Sequence, residues 1–282
     1  MDNVEYKDPF KHDDTGRIAY DGDADALMAL QAGDFPRPRA YDKVGPCLAL
    51  PSSDAETCHV VEVDARDYER ICNDLTQNVR GLEWPLVLVG GLKCAVAFVL
   101  LASVVSRLYP NNALPISSRS PVNTRQLLGR PDALRNFSLP QACMSIDPHV
   151  ARRLWVEDPG LEARQTENVV RQLASQLTTE GIDWQLFNIR EFIQGRRPDP
   201  LLGSLYRRTM LVSNVGKGYY EPQAKRVLCC GPMYGSYPLA VYLAAYGNTQ
   251  SFFVFQQDSS ADYAGGLARL LAQLGAKVEL KK

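Results

Sequence analysis

Residues 57–109 read TCHVVEVDARDYERICNDLTQNVRGLEWPLVLVGGLKCAVAFVLLASVVSRLY, and this stretch contains a strand pattern followed by two helical patterns. Its first eight residues alternate between two sides with the two-residue period of a β-strand. Apolar side chains then recur at helical spacing, which predicts a helix over Tyr68–Val79 with Asp64 or Asp67 as its N-cap. Strands mixed with long helices in this way indicate an α/β fold.

The run from Trp84 to Val105 carries a single charge, Lys93. A membrane-spanning helix needs about 20 apolar residues, so length alone permits a span. Pro85, the Gly90-Gly91 pair, the central Lys93 and the lack of a basic flank or aromatic belt argue against one. A helix buried in a large α/β core has the same composition. We therefore expect residues 86–108 to form the most buried helix of a soluble domain, with membrane contact as the alternative.

Hydrophobic period and turn residues predict the other elements. Helices are expected over 161–177, 184–195 and 263–274, and strands over 113–122, 137–146, 208–214, 226–234, 239–246 and 250–256, with a short strand or tail at 276–280. Prolines in the strands at 113–122 and 137–146 favour edge or bulge positions. Gly247-Asn248 predicts a hairpin between the last two long strands. The prediction is an α/β, two-layer sandwich with a mixed sheet, built from residues 56–282 and preceded by an extended arm, 1–55.

Composition excludes several classes of function. Lysine and arginine number 31 against 32 acidic residues, and the arginine pairs are separated, so no basic surface for nucleic acid is expected. The polar, acidic N-terminus is not a signal peptide, and seven cysteines lack CxxC spacing. Gly216-Lys217-Gly218 is followed by Tyr-Glu-Pro rather than a glycine-led helix, so it is a turn. These features favour a reduced cytoplasmic protein with no metal and no cofactor.

Several segments, in order, resemble the C-terminal half of the chloramphenicol-acetyltransferase-like superfamily, which includes peptide-synthetase condensation domains, fungal O-acetyltransferases and alcohol acetyltransferases. The strand TCHVVEVD and the buried helix before Leu108-Tyr109 are two of them. The stretch ISSRSPVNTRQLLG matches the family's "PVN-R" pattern through Asn123 and Arg125. Arg135-Asn136-Phe137 matches a "GN-F" strand in part, since the usual glycine is absent. Two further segments resemble the strands that close the family's fold: LVSNVG at 211–216 and CCGPMYGSYPLAVYLAAYG at 229–247. The resemblance as a whole covers residues 57–276.

This resemblance implies one lobe of a two-lobed enzyme in which donor and acceptor meet in a tunnel between lobes. The family's catalytic histidine belongs to an HHxxxD or HxxxD motif in the other lobe. Here the three histidines, His12, His59 and His149, are followed four residues on by glycine, valine and arginine, so no HxxxD exists. The general base that deprotonates the acceptor is therefore missing.

Polar and aromatic residues of the matched segments are the candidates for substrate binding. Arg125 pairs with a carboxylate or holds its loop, the second role being usual in the family. Asn123 and Asn214 bond neighbouring backbone, or Asn214 contacts an acyl chain or an oxyanion. The candidates for an aromatic lining include Tyr220, Tyr234 and Tyr237, although aromatic residues in strands are usually core. No catalytic residue is assigned.

The sequence is compatible with three functions. The first is a truncated, condensation-like enzyme of natural-product biosynthesis, repurposed for a reaction such as cyclisation in a shaped pocket. The second is the complementary half of a two-chain acyltransferase, with an HHxxxD-bearing partner. The third is a non-catalytic module that binds a carrier or partner. All three imply an acyl substrate, free or carrier-bound, and a homodimer or heteromer, because an apolar flank inherited from the two-lobed fold needs cover.

Overall fold

In the computed structural model, residues 10–12, 18–20, 57–79, 87–121, 141–155, 158, 160–176, 209–217 and 239–281 are described. The strands are β1 Phe10–His12, β2 Ile18–Tyr20, β3 Thr57–Asp64, β4 Ile116–Pro121, β5 Gln141–Ile146, β6 Met210–Lys217, β7 Leu239–Tyr246, β8 Thr249–Gln256 and β9 Val278–Lys281. The helices are α1 Ala65–Leu75, α2 Val87–Leu108, α3 Pro148–Arg153, α4 Leu161–Gln176 and α5 Tyr263–Gln273, with a 3-10 turn at Gln77–Val79.

Seven strands form one mixed sheet in the order β5-β4-β6-β7-β8-β3-β9. β4, β6 and β7 are mutually parallel, whereas β5, β8 and β9 run antiparallel to their neighbours. β3 therefore runs in the same direction as β4, β6 and β7, and these four strands end at one side of the sheet, here called the carboxyl edge. The opposite side is called the amino edge. The predicted α/β class with a mixed sheet is confirmed.

Helix α2 is the centre of the core, as its composition predicts. Its residues from Cys94 to Ala102 are at most 2% exposed, and they join one hydrophobic cluster with all the other long helices. The strand residues of this cluster alternate along each strand, for example Val61 and Val63, so they share one face of the sheet. This face is called the helix face.

The opposite face of the sheet, here called the outer face, carries a second apolar cluster, and its described members all lie in strands. Its buried members are Val60, Leu211, Ala240, Tyr242, Ala244 and Phe253. Tyr242 and Phe255 pack edge to face at 5.8 Å between ring centroids. Both faces of the central strands are therefore apolar, which accounts for the nearly continuous hydrophobic runs in β7 and β8.

Several predicted bounds need correction. The helix expected over Tyr68–Val79 begins at Ala65, because Asp64 is the N-cap and accepts from the Arg66 N–H at 2.8 Å, and it ends at Leu75. β4 lies inside the sheet rather than at its edge: Pro121 only ends the strand, so its missing N–H disrupts little of the ladder. The short helix α3, which contains His149 and is capped by Asp147, was not predicted. The predicted helix 184–195 and strand 226–234 lie outside the described residues.

Residues 86–108 were expected to be either core or membrane-spanning, and the helix of the structure is α2. Among the described residues, α2 is the one helix long and apolar enough to cross a bilayer. Most of that apolar segment is buried against the sheet and the neighbouring helices. Its hydrophobicity is therefore accounted for by burial in the protein core.

Candidate functional site

Asn214 is the one predicted binding residue that the structure describes. It lies in β6 on the helix face, at a β-bulge where the register with β7 shifts between Asn214 and Gly216. Its Oδ1 accepts a hydrogen bond from the Gly216 N–H at 2.9 Å, and Gly216 has φ +82°, which suits a residue without a Cβ. The Asn214 side chain thus holds the bulge, which is the backbone role that the sequence left open.

The bulge exposes an apolar side chain at the carboxyl edge. Val215, between Asn214 and Gly216, is 57% exposed. Leu108, at the end of α2, is the other large hydrophobic residue exposed among the described positions. The two are far apart in the fold because α2 begins near Asn214 and runs toward the amino edge. These two exposed side chains therefore do not form one patch.

A buried thiol lies beneath the bulge. Cys94, near the start of α2, is 2% exposed, and its sulfur is within hydrogen-bonding reach of the Ser120 hydroxyl and the Asn214 backbone. Burial raises the pKa of the Cys94 thiol to about 11, and the two hydrogen bonds lower it only in part. Cys94 is consequently a neutral thiol at physiological pH and a poor nucleophile.

The other predicted residues lie outside the described residues. In sequence, Asn123 and Arg125 follow β4, and Tyr220 follows β6. β4 and β6 are adjacent and parallel, so both strands end at the carboxyl edge beside Asn214. Tyr234 and Tyr237 instead precede β7, which begins at the amino edge. The described strands that adjoin these candidates in sequence thus end at one edge of the sheet or begin at the other.

Sequence reasoning missed a polar cluster at the amino edge, here called the amino-edge cluster. It comprises Thr57, His59, Tyr109, Gln256, Asp258 and Tyr263. The Gln256 side chain donates to the carbonyls of Asp258 and Ala261, both at 2.7 Å, which fixes the orientation of its amide. Residues 59, 109 and 263 are far apart in sequence, and no local motif joins them. Only the sheet register and the end of α2 bring them together.

Three polar atoms in this cluster are buried without a hydrogen-bond partner: Thr57 Oγ1, His59 Nδ1 and Gln256 Oε1. Thr57 and Gln256 are directly paired across β3 and β8, and His59 is two residues along β3, on the same face. A buried acceptor left without a donor costs about 1–3 kcal/mol. Gln256 Oε1 is thus a buried acceptor for which the described residues provide no donor.

The two described histidine side chains do not form an acid–base pair with a carboxylate. A general-base histidine is normally oriented by a third group through its second nitrogen. His59 Nδ1 has no partner, and His149 Nδ1 contacts the Arg152 guanidinium. Among the described residues, no group of three or more His, Cys, Asp and Glu side chains is arranged to hold a metal ion.

No family model matches the sequence, and no curated protein matches it significantly. Solved structures do. TRI101 of Fusarium sporotrichioides, complexed with coenzyme A and T-2, has a TM-score of 0.54 at 14% identity, covering 84% of this chain and 54% of that one. TRI101 of F. graminearum, complexed with coenzyme A and T-2 mycotoxin, has a TM-score of 0.52 at 12% identity, covering 86% of this chain and 54% of that one.

TRI3 of Fusarium sporotrichioides, a trichothecene 15-O-acetyltransferase, gives a TM-score of 0.50 at 14% identity over 89% and 52% of the two chains. The chain has the CoA-dependent acyltransferase fold. The resemblance drawn from the sequence is thus confirmed at the level of fold. The chain spans about half the length of these acyltransferase-fold structures.

Proposed function

We propose that this chain is an acyltransferase-fold enzyme of natural-product biosynthesis that acts on an acyl-type substrate without histidine-dependent acyl transfer. The observation that carries the proposal is the pairing of this fold with a sequence that contains no HxxxD motif. The matched structures include a trichothecene O-acetyltransferase and a complex with coenzyme A, which support an acyl substrate and a biosynthetic role.

The chemistry of the described side chains favours a reaction that depends on positioning. Among the described residues, His59 and His149 lack a carboxylate partner and the Cys94 thiol is protonated, so neither histidine is oriented as a base and this thiol is not prepared as a nucleophile. Cyclisation of a flexible chain needs little acid–base catalysis when its ends are held close together. We place the substrate at the carboxyl edge, beside Asn214 and exposed Val215, where Asn123, Arg125 and Tyr220 follow their strands.

The test uses the full purified chain and two sets of substrates. Acetyl-CoA with alcohol or amine acceptors should give no transfer above background. Linear hydroxyacyl thioesters of increasing length should give cyclised product, followed by mass spectrometry. Acetyl transfer by the chain alone, or the absence of any turnover across the thioester series, contradicts the proposal. The control variants His12→Gln, His59→Gln and His149→Gln should keep the activity, and a loss of a hundredfold or more in one of them would make that histidine catalytic.

Two substitutions of Asn214 distinguish a structural role of this residue from a substrate-binding role. Asn214→Asp keeps an oxygen that accepts from the Gly216 N–H but removes the amide donor, whereas Asn214→Ala loses both. We expect Asn214→Asp to lower product formation about tenfold with an unchanged melting temperature, because the bulge is kept. Asn214→Ala should lower stability as well. Equal turnover in Asn214→Asp and wild type would leave this residue a purely structural role.

The second candidate is the complementary half of a two-chain acyltransferase, a function that the shared fold also allows. In that case, a separate HHxxxD-bearing chain should restore acetyl transfer when mixed with this one. A gene for such a chain beside this gene would support the assembly. A non-catalytic carrier-binding module is the remaining alternative, in which neither assay gives turnover but a carrier protein binds.

The cytoplasmic location and the self-association remain predictions. Light scattering at micromolar concentration should give a mass above the 31.3 kDa of one chain. Deletion of residues 1–40 should then weaken the dimer if the arm contributes to it. A monomer in both forms contradicts the association and the contribution of the arm.

A further inference from the structure

The outer edge of β5 is the end of the sheet on the β4 side. β5 pairs antiparallel with β4, with Ser118 opposite Met144 and Arg119 opposite Cys143. In such a strand, alternate residues turn their backbone N–H and C=O groups away from the neighbour. Cys143 and Ser145 are the residues that do so here, as their hydrogen bonds show.

Two glutamines of α4 occupy these outward backbone groups. Gln176 Oε1 accepts from the Cys143 N–H at 2.8 Å, and its Nε2 donates to the Cys143 carbonyl at 2.8 Å. Gln172 Oε1 accepts from the Ser145 N–H at 2.9 Å, and its Nε2 donates to the Ser145 carbonyl at 3.0 Å. Each side-chain amide thus makes the pair of hydrogen bonds that a neighbouring strand would make.

The match follows from the geometry of the two elements. Residues four apart on a helix are separated by about 6 Å along its axis. Residues two apart on a strand are separated by about 6.8 Å. Gln172 and Gln176 therefore come into step with Ser145 and Cys143 when α4 lies along β5. A glutamine amide also carries the same donor and acceptor as a peptide group.

The other end of the sheet is protected differently. β9 has four residues, and Glu279 and Lys281 place charges on it. Short edge strands with lysine resist pairing with another chain. β5 has no such device in its own sequence, because QACMSI contains neither charge nor proline. Its protection comes from the side chains of α4.

We propose that Gln172 and Gln176 form a clamp that closes the β5 edge against a second copy of this chain. An uncharged edge strand presents the same backbone groups in every copy, so two such edges can join antiparallel about a two-fold axis. Without the clamp, β5 of one copy pairs with β5 of another and the sheet continues across both. The clamp directs self-association of the native chain away from this edge.

The test replaces both glutamines by methionine, which keeps chain length and helix propensity but removes the amide. In Gln172→Met/Gln176→Met, hydrogen exchange of the Cys143 and Ser145 amides should become about tenfold faster at low protein concentration. Light scattering should then show mass above the wild-type value as concentration rises. The matched control is Gln165→Met/Gln273→Met, at two helix glutamines that bond no described strand, and it should match wild type in both measurements.

A second variant separates opening of the edge from association. Gln172→Glu/Gln176→Glu loses the donors to the strand carbonyls but keeps an oxygen that accepts from each strand N–H, so it should speed exchange less than the methionine variant, and its charges should prevent association. Unchanged exchange in the methionine variant, or faster exchange with the wild-type mass at every concentration, overturns the proposal. Should the double variant fail to fold, Gln172→Met and Gln176→Met singly should each speed exchange only at their own partner residue, and any other pattern counts against the clamp.

Discussion

The Tyr263 hydroxyl lies 2.9 Å from the Tyr109 hydroxyl, and Tyr109 in turn donates to Asp258 Oδ2 at 3.3 Å. Because Tyr109 has a single proton to donate, Tyr263 is the donor to Tyr109. Tyr263 begins α5 and is 1% exposed, whereas Tyr109 follows the last residue of α2. This relay joins two helices to the loop after β8 at the amino edge.

The relay predicts unequal effects of two similar substitutions. Tyr109→Phe leaves the buried Tyr263 hydroxyl without its partner, which should lower the free energy of unfolding by about 1–3 kcal/mol. Tyr263→Phe removes a donor and leaves Tyr109 bonded to Asp258, so its cost should be about 0.5–1.5 kcal/mol. Urea denaturation measures both. Equal costs, or a larger cost for Tyr263→Phe, would show that the relay does not run in this direction.

Alkaline pH should destabilise the protein through its buried thiols. Burial raises the pKa of Cys72 to about 12 and that of Cys94 to about 11, from an ordinary value of 9.0. Above pH 9 the unfolded chain loses these protons while the folded chain keeps them, so the free energy of unfolding falls as pH rises. Burial also raises the pKa of Tyr263, which continues the fall above pH 10.

Cys94→Ala tests this dependence. Between pH 9 and pH 11, its free energy of unfolding should fall less steeply than that of wild type, because one buried thiol no longer titrates. Urea denaturation at several pH values across that window provides the slope. Cys58→Ala, at an exposed thiol, is the matched control for the loss of a cysteine. Parallel curves for all three proteins would mean that the Cys94 thiol titrates alike in the folded and unfolded chains.

The sequence predicted the elements that have strong local signals. The predicted bounds of β7 and β8 agree with the structure to within one residue, and α2 was correctly predicted as the buried helix. Long apolar runs and a Gly-Asn turn are local features of the sequence, so these elements can be predicted without knowing the fold. α3 was missed, because its six residues and proline start carry no hydrophobic period. Pro115 and Pro121 suggested an edge position for β4. Pro115 lies before the strand and Pro121 is its last residue, so neither needs a backbone N–H for the hydrogen bonds within the sheet.

Much less of the site was predictable. The local role of Asn214 follows from its neighbour Gly216 and was one of the two roles considered. The amino-edge cluster and the clamp of Gln172 and Gln176 depend on contacts between residues 27 to 199 positions apart. Such contacts follow from strand order and helix placement, which a hydrophobic period alone does not fix.

A charge in α2 should prevent folding. Ala95 and Ala97 are fully buried, so aspartate at either position places an unpaired carboxylate in the core. We expect Ala95→Asp and Ala97→Asp to abolish soluble expression, while Ala272→Asp, at an exposed position of α5, is tolerated. Yield and melting temperature are the measurements. Wild-type behaviour of the core variants would place α2 outside the core, and recovery of wild type only in detergent would support a membrane helix.

The packing of α5 on α2 depends on a glycine. A Cβ added to Gly266 would lie 2.5 Å from Val104 Cγ1, which is closer than real Cβ contacts allow. Gly266→Ala should therefore cost about 1–3 kcal/mol of stability through overpacking, although alanine is the better helix former by about 1 kcal/mol.

Val104→Ala should relieve this clash. Alone it destabilises by leaving a small cavity at a residue that is 4% exposed. Combined with Gly266→Ala, it opens room for the new methyl group, so the double variant should be more stable than the sum of the single effects predicts, by about 0.5–3 kcal/mol.

Val105→Ala is the matched control, since Val105 is also buried but is not among the nearest contacts of Gly266. Its combination with Gly266→Ala should be additive in urea denaturation. Additivity with Val104→Ala as well would mean that the two helices separate to accept the methyl group, and that close packing at Gly266 does not fix the position of α5 on α2.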